Sequence, residues 1–490
     1  MDMSNSVRGG NHSVLIAAVF LLFLALGTFF RLYGLGDRNL WTDEAWVAVA
    51  ATQPTPALAW QEGKSTPPLY LLTVWQMAQL AGKSEAVLRF TSVLFGLGAL
   101  LLFWPLARAL LPPGGALAAF ALAGVSTRWV YFSKELKQYS ADMFFAVLVF
   151  FLVERQLRRQ GQGGWLLFTL LLALGLGFSH PLIFLLPAAG LVLWWQLPQA
   201  RRAVFFSFVA VGLIFLSYYW FFFRGQVDPE LLVYWQADFP PLTSARDFLV
   251  WLAAAWNRYV GYFFLYWSKP FGWLFLITGL VYFTRSSNSR VIWYFLVPIL
   301  TTLAAALAHR YPFMGQAGGV RLMMFTAPML FLVAGAGIMA VFAWLWPRQK
   351  LLGIALAAVV IMSLQPVQLW QENLRPQMNR EEIVPLVREL ESQYRPGDLI
   401  YVYYFAIDPF KFYHQGLREQ VIWGQSCHDN CLPLPPEDLK QVDRLWLIFS
   451  HFETLEDVDR FIENLLGEGW TRHLARYETG AALFCYYQNR

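Results

Sequence analysis

Long apolar runs constrain this chain more than any other feature of its sequence. A run of roughly 20 apolar residues can cross a bilayer as an α-helix, and the sequence holds about eleven such candidates. Hydrophobic residues make up 57% and charged residues 14% of the 490 residues, so the predicted fold class is a polytopic α-helical membrane protein. The candidate spans are residues 14–33, 88–107, 115–132, 140–156, 165–179, 181–197, 203–223, 271–284, 291–308, 321–346 and 351–370.

Three arginine-rich loops set the predicted orientation. Lysine and arginine are enriched in cytoplasmic loops, so these loops and the N-terminus are placed in the cytoplasm. The run 14–33 lacks a small-residue cleavage site and is interpreted as a retained helix, not a signal peptide. The stretches 67–82 and 247–267 are also apolar. If either one alone crossed the bilayer, the loops that it separates from the arginine-rich loops would change sides. Both stretches are therefore assigned to interfacial helices. The basic loops contain Arg155, Arg158 and Arg159, then Arg201 and Arg202, then Arg285 and Arg290.

The composition becomes charged and polar near Gln371. This change predicts a transmembrane domain at 1–372 and a soluble domain at 373–490, on the same outer face as loops 34–87, 133–139, 224–270 and 309–320. The soluble part alternates helical and strand patterns, which predicts a small α/β domain. Its predicted elements are helices 380–394, 409–415 and 454–466, strands 398–406 and 443–450, and a hairpin at 471–488.

The three cysteines all lie in this soluble part. Cys427 and Cys431 are close enough in sequence for a small disulfide loop in an oxidising compartment, or they are free thiols. A metal site would need more ligands than these two and His428. Cys485 lies in a strand pattern and is interpreted as a small buried hydrophobe. No obligatory metal is predicted, and a divalent metal has no support in the sequence.

Two adjacent carboxylates, Asp43 and Glu44, follow the first apolar run in RLYGLGDRNLWTDE at 31–44. Charged residues at a membrane are costly unless they have a task. Thr42 and Asp43 are also good N-cap residues, so they could simply cap the helix that follows. Capping needs only one such residue and does not explain the charged residues of the other outer loops. A carboxylate here is suited to act as a general base towards an acceptor hydroxyl.

Five segments carry the most specific sequence patterns. They are RLYGLGDRNLWTDEA (31–45), STPPLYLL (65–72) with SEAVLRF (84–90), YFSKELKQYSADMFF (131–145), FSHPL (178–182), and YPF (311–313) with VRLMMFTAP (320–328). In these segments the chain resembles the GT-C membrane glycosyltransferases, in particular the bacterial branch similar to protein O-mannosyltransferases and to the lipid A aminoarabinose transferase. The resemblance covers nearly the whole chain and rests mainly on the first and third segments.

The resemblance implies a multi-pass enzyme of the bacterial inner membrane. It would transfer a sugar, with inversion, from a polyisoprenyl phosphate to an acceptor at the outer face. Asp43 matches the family's catalytic aspartate and would accept the acceptor's proton, with Glu44 as its partner. Glu135 matches a second acidic position that orients acceptor or metal, with Tyr139 and Gln138 as polar neighbours; an ion pair with a neighbouring lysine explains Glu135 equally well.

The leaving phosphate needs fixed cations in a pocket of low dielectric constant. The candidates are Lys64, Lys134, Lys137 and Arg321. Arg321 also fits an ordinary snorkelling anchor, although the family often has a phosphate-facing arginine here. Many relatives have a histidine where this chain has Thr66, so a metal or proton role at that position is in doubt. The sequence favours structural roles for the remaining candidates, Arg31, Arg89, His180 and His309.

Three kinds of function compete for this sequence. A WWD-type motif of oligosaccharyltransferases is absent from 373–490, which favours transfer of a single hexose or pentose. The expected partners are a polyisoprenyl-phosphate sugar, membrane lipid, and a lipid, glycan or protein acceptor, with no nucleic acid. The alternative is a transporter or flippase for lipid-linked sugars, which typically shows internal repeats and polar residues near mid-membrane. A third alternative, a noncatalytic scaffold, does not require the Asp43 carboxylate.

Overall fold

The described part of the chain is mostly helical, with one small sheet near the C-terminus. The computed structural model describes residues 3–63, 65–224, 234–264, 268–315, 318–373, 380–416, 421–425, 442–452 and 454–489. The first helices are α1 (Met3–Leu32), α2 (Thr42–Ala51), α3 (Pro56–Glu62), α4 (Pro68–Ala81), α5 (Glu85–Leu110), α6 (Pro113–Val125), α7 (Thr127–Ser133), α8 (Tyr139–Arg158), α9 (Trp165–Phe178), α10 (Leu182–Gln196) and α11 (Arg201–Tyr218). They are followed by α12 (Ala245–Phe263), α13 (Lys269–Thr284), α14 (Arg290–Leu307), α15 (Ala327–Leu345), α16 (Lys350–Ser363), α17 (Pro366–Asn373), α18 (Ile383–Gln393), α19 (Ile407–Tyr413) and α20 (Leu455–Leu466).

Each of the eleven predicted spans coincides with one of these helices or with two consecutive ones, as expected where the backbone must satisfy its hydrogen bonds internally. Among the described residues, six helical stretches are long and apolar enough to cross a membrane, and the bent pair α6 and α7 would make a seventh. Helices α9 and α10 are apolar but shorter. Their outward side chains fit a lipid environment; Leu166 on α9, for example, is 74% exposed. The count of about eleven spans and the interfacial placement of α4 and α12 stay predictions.

Three predicted spans are interrupted, and in each case a local residue explains the break. Ser126 ends α6, and its hydroxyl accepts the Trp129 N–H at 3.4 Å, which caps the start of α7. The axes of α6 and α7 differ by 52°. Pro328 lies in the first turn of α15, where proline is favoured, and the preceding Gly319–Thr326 segment is a 3-10 helix. Pro366 begins α17 after Gln365, whose φ of 55° ends α16.

Small residues allow close helix packing around α15. A Cβ added at Gly335 would lie 2.6 Å from the Ala119 Cβ and 2.7 Å from the Gly115 carbonyl oxygen of α6. Such contacts are closer than ordinary van der Waals packing, so a larger residue would force the helices apart. Small residues at helix crossings are typical of membrane proteins, because the hydrophobic effect does not drive association within lipid.

The chain divides into two compact units. The helical unit comprises Met1–Leu35, Ser65–Thr73 and Arg89–Arg375, and the mixed unit comprises Gly36–Lys64, Val74–Leu88 and Pro376–Arg490. The mixed unit thus includes part of the predicted first outer loop as well as most of the predicted soluble domain. The predicted two-domain division at 372/373 itself stays a prediction.

Within the described residues, the sheet of the mixed unit has five strands: β1 (Leu399–Val402), β2 (Val421–Trp423), β3 (Arg444–Ser450), β4 (Trp470–Glu478) and β5 (Ala481–Gln488). Their order is β2-β1-β3-β5-β4, with β1 parallel to β2 and β3, and β5 antiparallel to β3 and β4. The α/β prediction is therefore confirmed, with helices α18, α19 and α20 and hairpin β4–β5 near their predicted positions. The three-residue strand β2 was not predicted from the sequence.

Cys485 lies on β5 and is 1% exposed with a free thiol, as its prediction as a buried hydrophobe requires. Burial raises the pKa of this thiol, although the nearby Arg444 partly counteracts the increase. Cys427, His428 and Cys431 lie outside the described residues, so their pairing stays a prediction.

Candidate active site

The two predicted acids begin helix α2 and have different surroundings. Asp43 and Glu44 are the second and third residues of the helix. Glu44 is fully buried, and its Oε1 lies 3.7 Å from the Arg38 Nη2, whereas Asp43 is half-buried. A helix rotates by about 100° per residue, so neighbouring side chains point in different directions. Asp43 is therefore the more accessible of the two carboxylates.

The start of α2 does not use the N-cap residues suggested by the sequence. The N-cap residue is Trp41, which makes no side-chain capping bond, and Thr42 and Asp43 already lie inside the helix. The Thr42 N–H instead donates to the Glu381 Oε2 at 2.9 Å. The preceding Leu40 N–H donates to the Tyr413 hydroxyl at 2.8 Å. The chain entering α2 is thus held by residues that lie far away in the sequence.

In the helical unit, one buried segment runs from the end of α7 to the first residue of α8 and contains the predicted residues Lys134, Glu135, Lys137 and Tyr139. Glu135 is 0%, Lys134 4% and Lys137 8% exposed. The Lys134 Nζ donates to the Tyr33 carbonyl at 3.2 Å. A buried carboxylate is stable only with compensating charges or hydrogen bonds, and Lys134 and Lys137 lie within two residues of Glu135 in the sequence.

Two contacts from α4 and α5 hold this segment in place. The Ser92 hydroxyl donates to the Lys137 carbonyl at 3.3 Å and lies 2.7 Å from the Tyr70 hydroxyl. Gly96 permits close approach of α5 to Ser133, where a Cβ would overlap the serine side chain. The STPPLYLL and YFSKELKQY motifs are therefore joined by hydrogen bonds within the helical unit.

Arg321 lies in the 3-10 segment that precedes α15, near the start of the apolar helical stretch Gly319–Leu345. Its guanidinium carbon lies 5.7 Å from the centre of the Trp235 ring, which is a cation–π contact. The neighbouring Asp238 is fully buried and packs against Gly315 and Gly319, where an added Cβ would overlap its carboxylate. Arg258 donates to the Met314 carbonyl at 3.2 Å. Asp238 and Arg258 are functional candidates that no sequence motif predicted.

A second polar group missed by the sequence analysis lies at the start of α8. Asp142 is 3% exposed and close to Ser179 in the turn between α9 and α10. The Tyr311 hydroxyl donates to the Leu322 carbonyl at 3.0 Å. Burial raises the pKa of this phenol well above its ordinary value, and the nearby Asp142 and Tyr139 raise it further. Asp142 could have been found from sequence, because an ionisable residue in an apolar run is a functional candidate.

The arginines interpreted as anchors make structural contacts. Arg31 is fully buried and its Nη1 donates to the Gly27 and Gly124 carbonyls at 2.8 Å, which connects α1 to α6. Arg89 is also fully buried and donates to the Leu35 carbonyl at 3.0 Å. His180 packs edge-on against Phe223, with ring centres 4.5 Å apart, and the His309 ring lies 4.9 Å from that of Phe239.

Lys64 lies outside the described residues. Within the part of the chain that the structure describes, no group of three or more His, Cys, Asp or Glu side chains is arranged to hold a metal ion. The prediction of no obligatory metal stays a prediction.

Comparison with known proteins places the fold. Residues 65–220 match the family described as dolichyl-phosphate-mannose-protein mannosyltransferase. The structure of ArnT from Cupriavidus metallidurans in the apo state is similar, with a TM-score of 0.53 and 13% identity over 98% of both chains. The chain has the GT-C fold. The resemblance to GT-C glycosyltransferases predicted from the sequence is thereby confirmed.

Two further GT-C structures resemble the chain. ArnT from Cupriavidus metallidurans bound to undecaprenyl phosphate has a TM-score of 0.52 and 14% identity, over 97% of this chain and 98% of that one. The archaeal oligosaccharyltransferase AglB from Archaeoglobus fulgidus, in complex with an inhibitory peptide and a dolichol-phosphate, has a TM-score of 0.53 and 11% identity over 98% of this chain and 74% of that one. A comparison with curated protein sequences finds no match.

Proposed function

We propose that this protein is an inverting glycosyltransferase that moves a single sugar from a polyisoprenyl phosphate to an acceptor hydroxyl or amine. The observation that carries the proposal is a half-buried carboxylate, Asp43, on the first helix after α1 in a chain with the GT-C fold. Lipid phosphates are bound in the similar structures of ArnT and AglB, which supports a lipid-phosphate donor.

Burial supports Asp43, and not Glu44, as the catalytic base. A general base must come within hydrogen-bond reach of the proton that it removes. Glu44 is fully buried beside Arg38, so it is poorly placed to receive an acceptor. We assign Glu44 the role of a partner that holds the start of α2, while Asp43 contacts the acceptor.

The proposed reaction is a single displacement. The acceptor oxygen or nitrogen attacks the anomeric carbon opposite the phosphate, and the bond from that carbon to the phosphate oxygen breaks with its electron pair. Asp43 takes the proton of the acceptor, and polyisoprenyl phosphate leaves with one additional negative charge. The configuration at the anomeric carbon is therefore inverted.

The departing phosphate acquires charge that cations can stabilise most strongly where water is excluded. We propose Lys64, Lys134, Lys137 and Arg321 for this role. The burial of Lys134 and Lys137 and the contact of Arg321 with Trp235 support fixed cation positions in the helical unit. We further propose that Glu135 and Tyr139 orient the acceptor.

The proposed location is the bacterial inner membrane, with the N-terminus in the cytoplasm and the reaction at the outer face. Its support is the arginine-rich loops, which the positive-inside tendency places in the cytoplasm. Cysteine labelling from either side of sealed membranes tests this orientation.

The function is tested by incubating a panel of radiolabelled polyprenyl-phosphate sugars with membranes that contain wild-type or Asp43→Asn protein. Transfer of the radiolabelled sugar to an acceptor is then measured. Removing a general base typically lowers the rate by about 100 to 10,000-fold, and we expect a loss in this range. Asp459→Asn makes the same chemical change at an exposed ion pair with Arg472 and should keep wild-type activity. Equal transfer by Asp43→Asn and wild type would reject the base assignment; transport of a lipid-linked sugar without transfer would favour a flippase.

A further inference from the structure

Glu381 holds the first residue of the helix that carries Asp43. Its Oε2 accepts the Thr42 N–H at 2.9 Å and lies 2.8 Å from the Thr42 hydroxyl oxygen. The first N–H groups of a helix have no partner within the helix, and a carboxylate at this end also interacts favourably with the helix dipole. Glu381 therefore supplies the cap that Trp41 does not provide, one residue before Asp43.

The other oxygen of Glu381 is held by a histidine. The Glu381 Oε1 lies 2.6 Å from the His451 Nδ1, and Glu381 is only 3% exposed. The His451 ring stacks on Trp41 with ring centres 5.9 Å apart, and the Arg380 guanidinium lies 4.6 Å from the centre of the same indole. Both oxygens of this carboxylate thus have a defined direction, one towards α2 and one towards the end of β3.

The backbone of His451 has an uncommon conformation. Its φ is 58°, in the left-handed region that favours glycine, and its N–H donates to the Gly480 carbonyl at 3.1 Å. Unusual backbone angles cost free energy and occur preferentially at functional sites. A glycine would adopt this conformation more easily but could not bond to Glu381. A histidine at this position therefore contributes the contact between its imidazole and Glu381.

We propose that Glu381 and His451 are positioning residues for Asp43. Glu381 fixes the start of α2, and His451 fixes the orientation of Glu381, so that the Asp43 carboxylate keeps one position relative to the acceptor. The inference rests on the proposed function for the catalytic role of Asp43. Because a misplacement of about 1 Å can lower a rate roughly 100-fold, loss of this support should lower kcat, while KM for the lipid donor should change little.

The kinetic test compares Glu381→Ala and His451→Ala with their conservative counterparts. We expect Glu381→Ala to lower kcat about 10 to 100-fold, with the donor KM changed by less than about twofold. Glu381→Gln keeps an acceptor oxygen, and His451→Asn keeps a polar group and tolerates the left-handed backbone, so both should recover part of the lost rate. Glu389→Gln is the matched control, because Glu389 forms an ion pair with the exposed Arg476 at 3.2 Å in the same unit. It should keep the wild-type kcat.

A second measurement follows the helix without using activity. Asp43→Cys is introduced after Cys427 and Cys431 are replaced by serine, and the rate of maleimide labelling is measured in the folded protein. Glu381→Ala should change this rate several-fold, whereas Glu389→Gln should not. An unchanged labelling rate, or a loss of kcat no larger than that of the Glu389 control, would overturn the inference. Full activity of Asp43→Asn would reject the proposed base instead, and labelling would then still decide whether Glu381 positions α2.

Discussion

Replacing Glu44 by glutamine should destabilise the protein, although the change is isosteric and lies next to the proposed base. Glu44 is fully buried and Arg38 is only 10% exposed. The substitution removes the negative charge and leaves the guanidinium beside a neutral amide. Asp43→Asn, one residue earlier, removes a charge from a half-buried position. The two variants should therefore separate stability from catalysis.

The expected size follows from the geometry of the pair. At the observed 3.7 Å and an effective dielectric constant of about 20, two unit charges attract by about 4 kcal/mol. Removing one partner of a buried ion pair typically costs about 3 to 5 kcal/mol, because the remaining charge stays buried. Most single substitutions cost about 0.5 to 3 kcal/mol, and larger losses arise where a buried charge loses its partner. We therefore expect a larger loss for Glu44→Gln, at a fully buried position, than for Asp43→Asn, at a half-buried one.

The assay combines thermal unfolding of the purified protein in detergent with sugar transfer at a temperature where both variants are folded. Glu44→Gln should melt several degrees below wild type and retain measurable transfer, whereas Asp43→Asn should melt at a higher temperature than Glu44→Gln but lack transfer. Arg38→Met with Glu44→Leu removes both charges and should recover part of the lost stability. The reasoning is refuted if Glu44→Gln melts with wild type but loses transfer.

Two further predictions concern the proposed phosphate site and the buried thiol. Arg321→Met should raise the donor KM by about 10-fold or more, since a hydrogen bond to a charged group contributes about 1.5 to 3 kcal/mol. Arg348→Met removes another arginine stacked on a tryptophan and should leave the donor KM unchanged. An equal effect of the two substitutions would contradict a phosphate role for Arg321. Cys485, whose pKa burial raises from 9.0, should react with maleimide at pH 8 only on unfolding in a variant lacking the other two cysteines. Because the folded state retains the thiol proton, stability should fall as the pH rises above about 9, and rapid labelling of the folded protein would disprove this burial.

The helices of this fold could be predicted from sequence because each apolar run must form a helix if it lies in a membrane. The interruptions could have been predicted too, since Ser126, Pro328 and Pro366 are local signals for helix starts. Strand β2 could not, because three residues are too few for an alternating pattern. Its place beside β1 depends on tertiary pairing with residues 400–402.

The candidate site, like the fold, could be predicted only in part from the sequence. A pattern of residues identifies Asp43 and Glu44 as a pair of acids, but it does not reveal which one is accessible. That difference arises from the rotation between consecutive helical residues and from what packs on each side of α2. Glu381, which caps α2, lies 339 residues from Thr42 in the sequence, and no local motif connects them. Glutamate is common at many surface positions, so only the folded structure distinguishes a carboxylate that fixes the proposed base from one that is merely solvated.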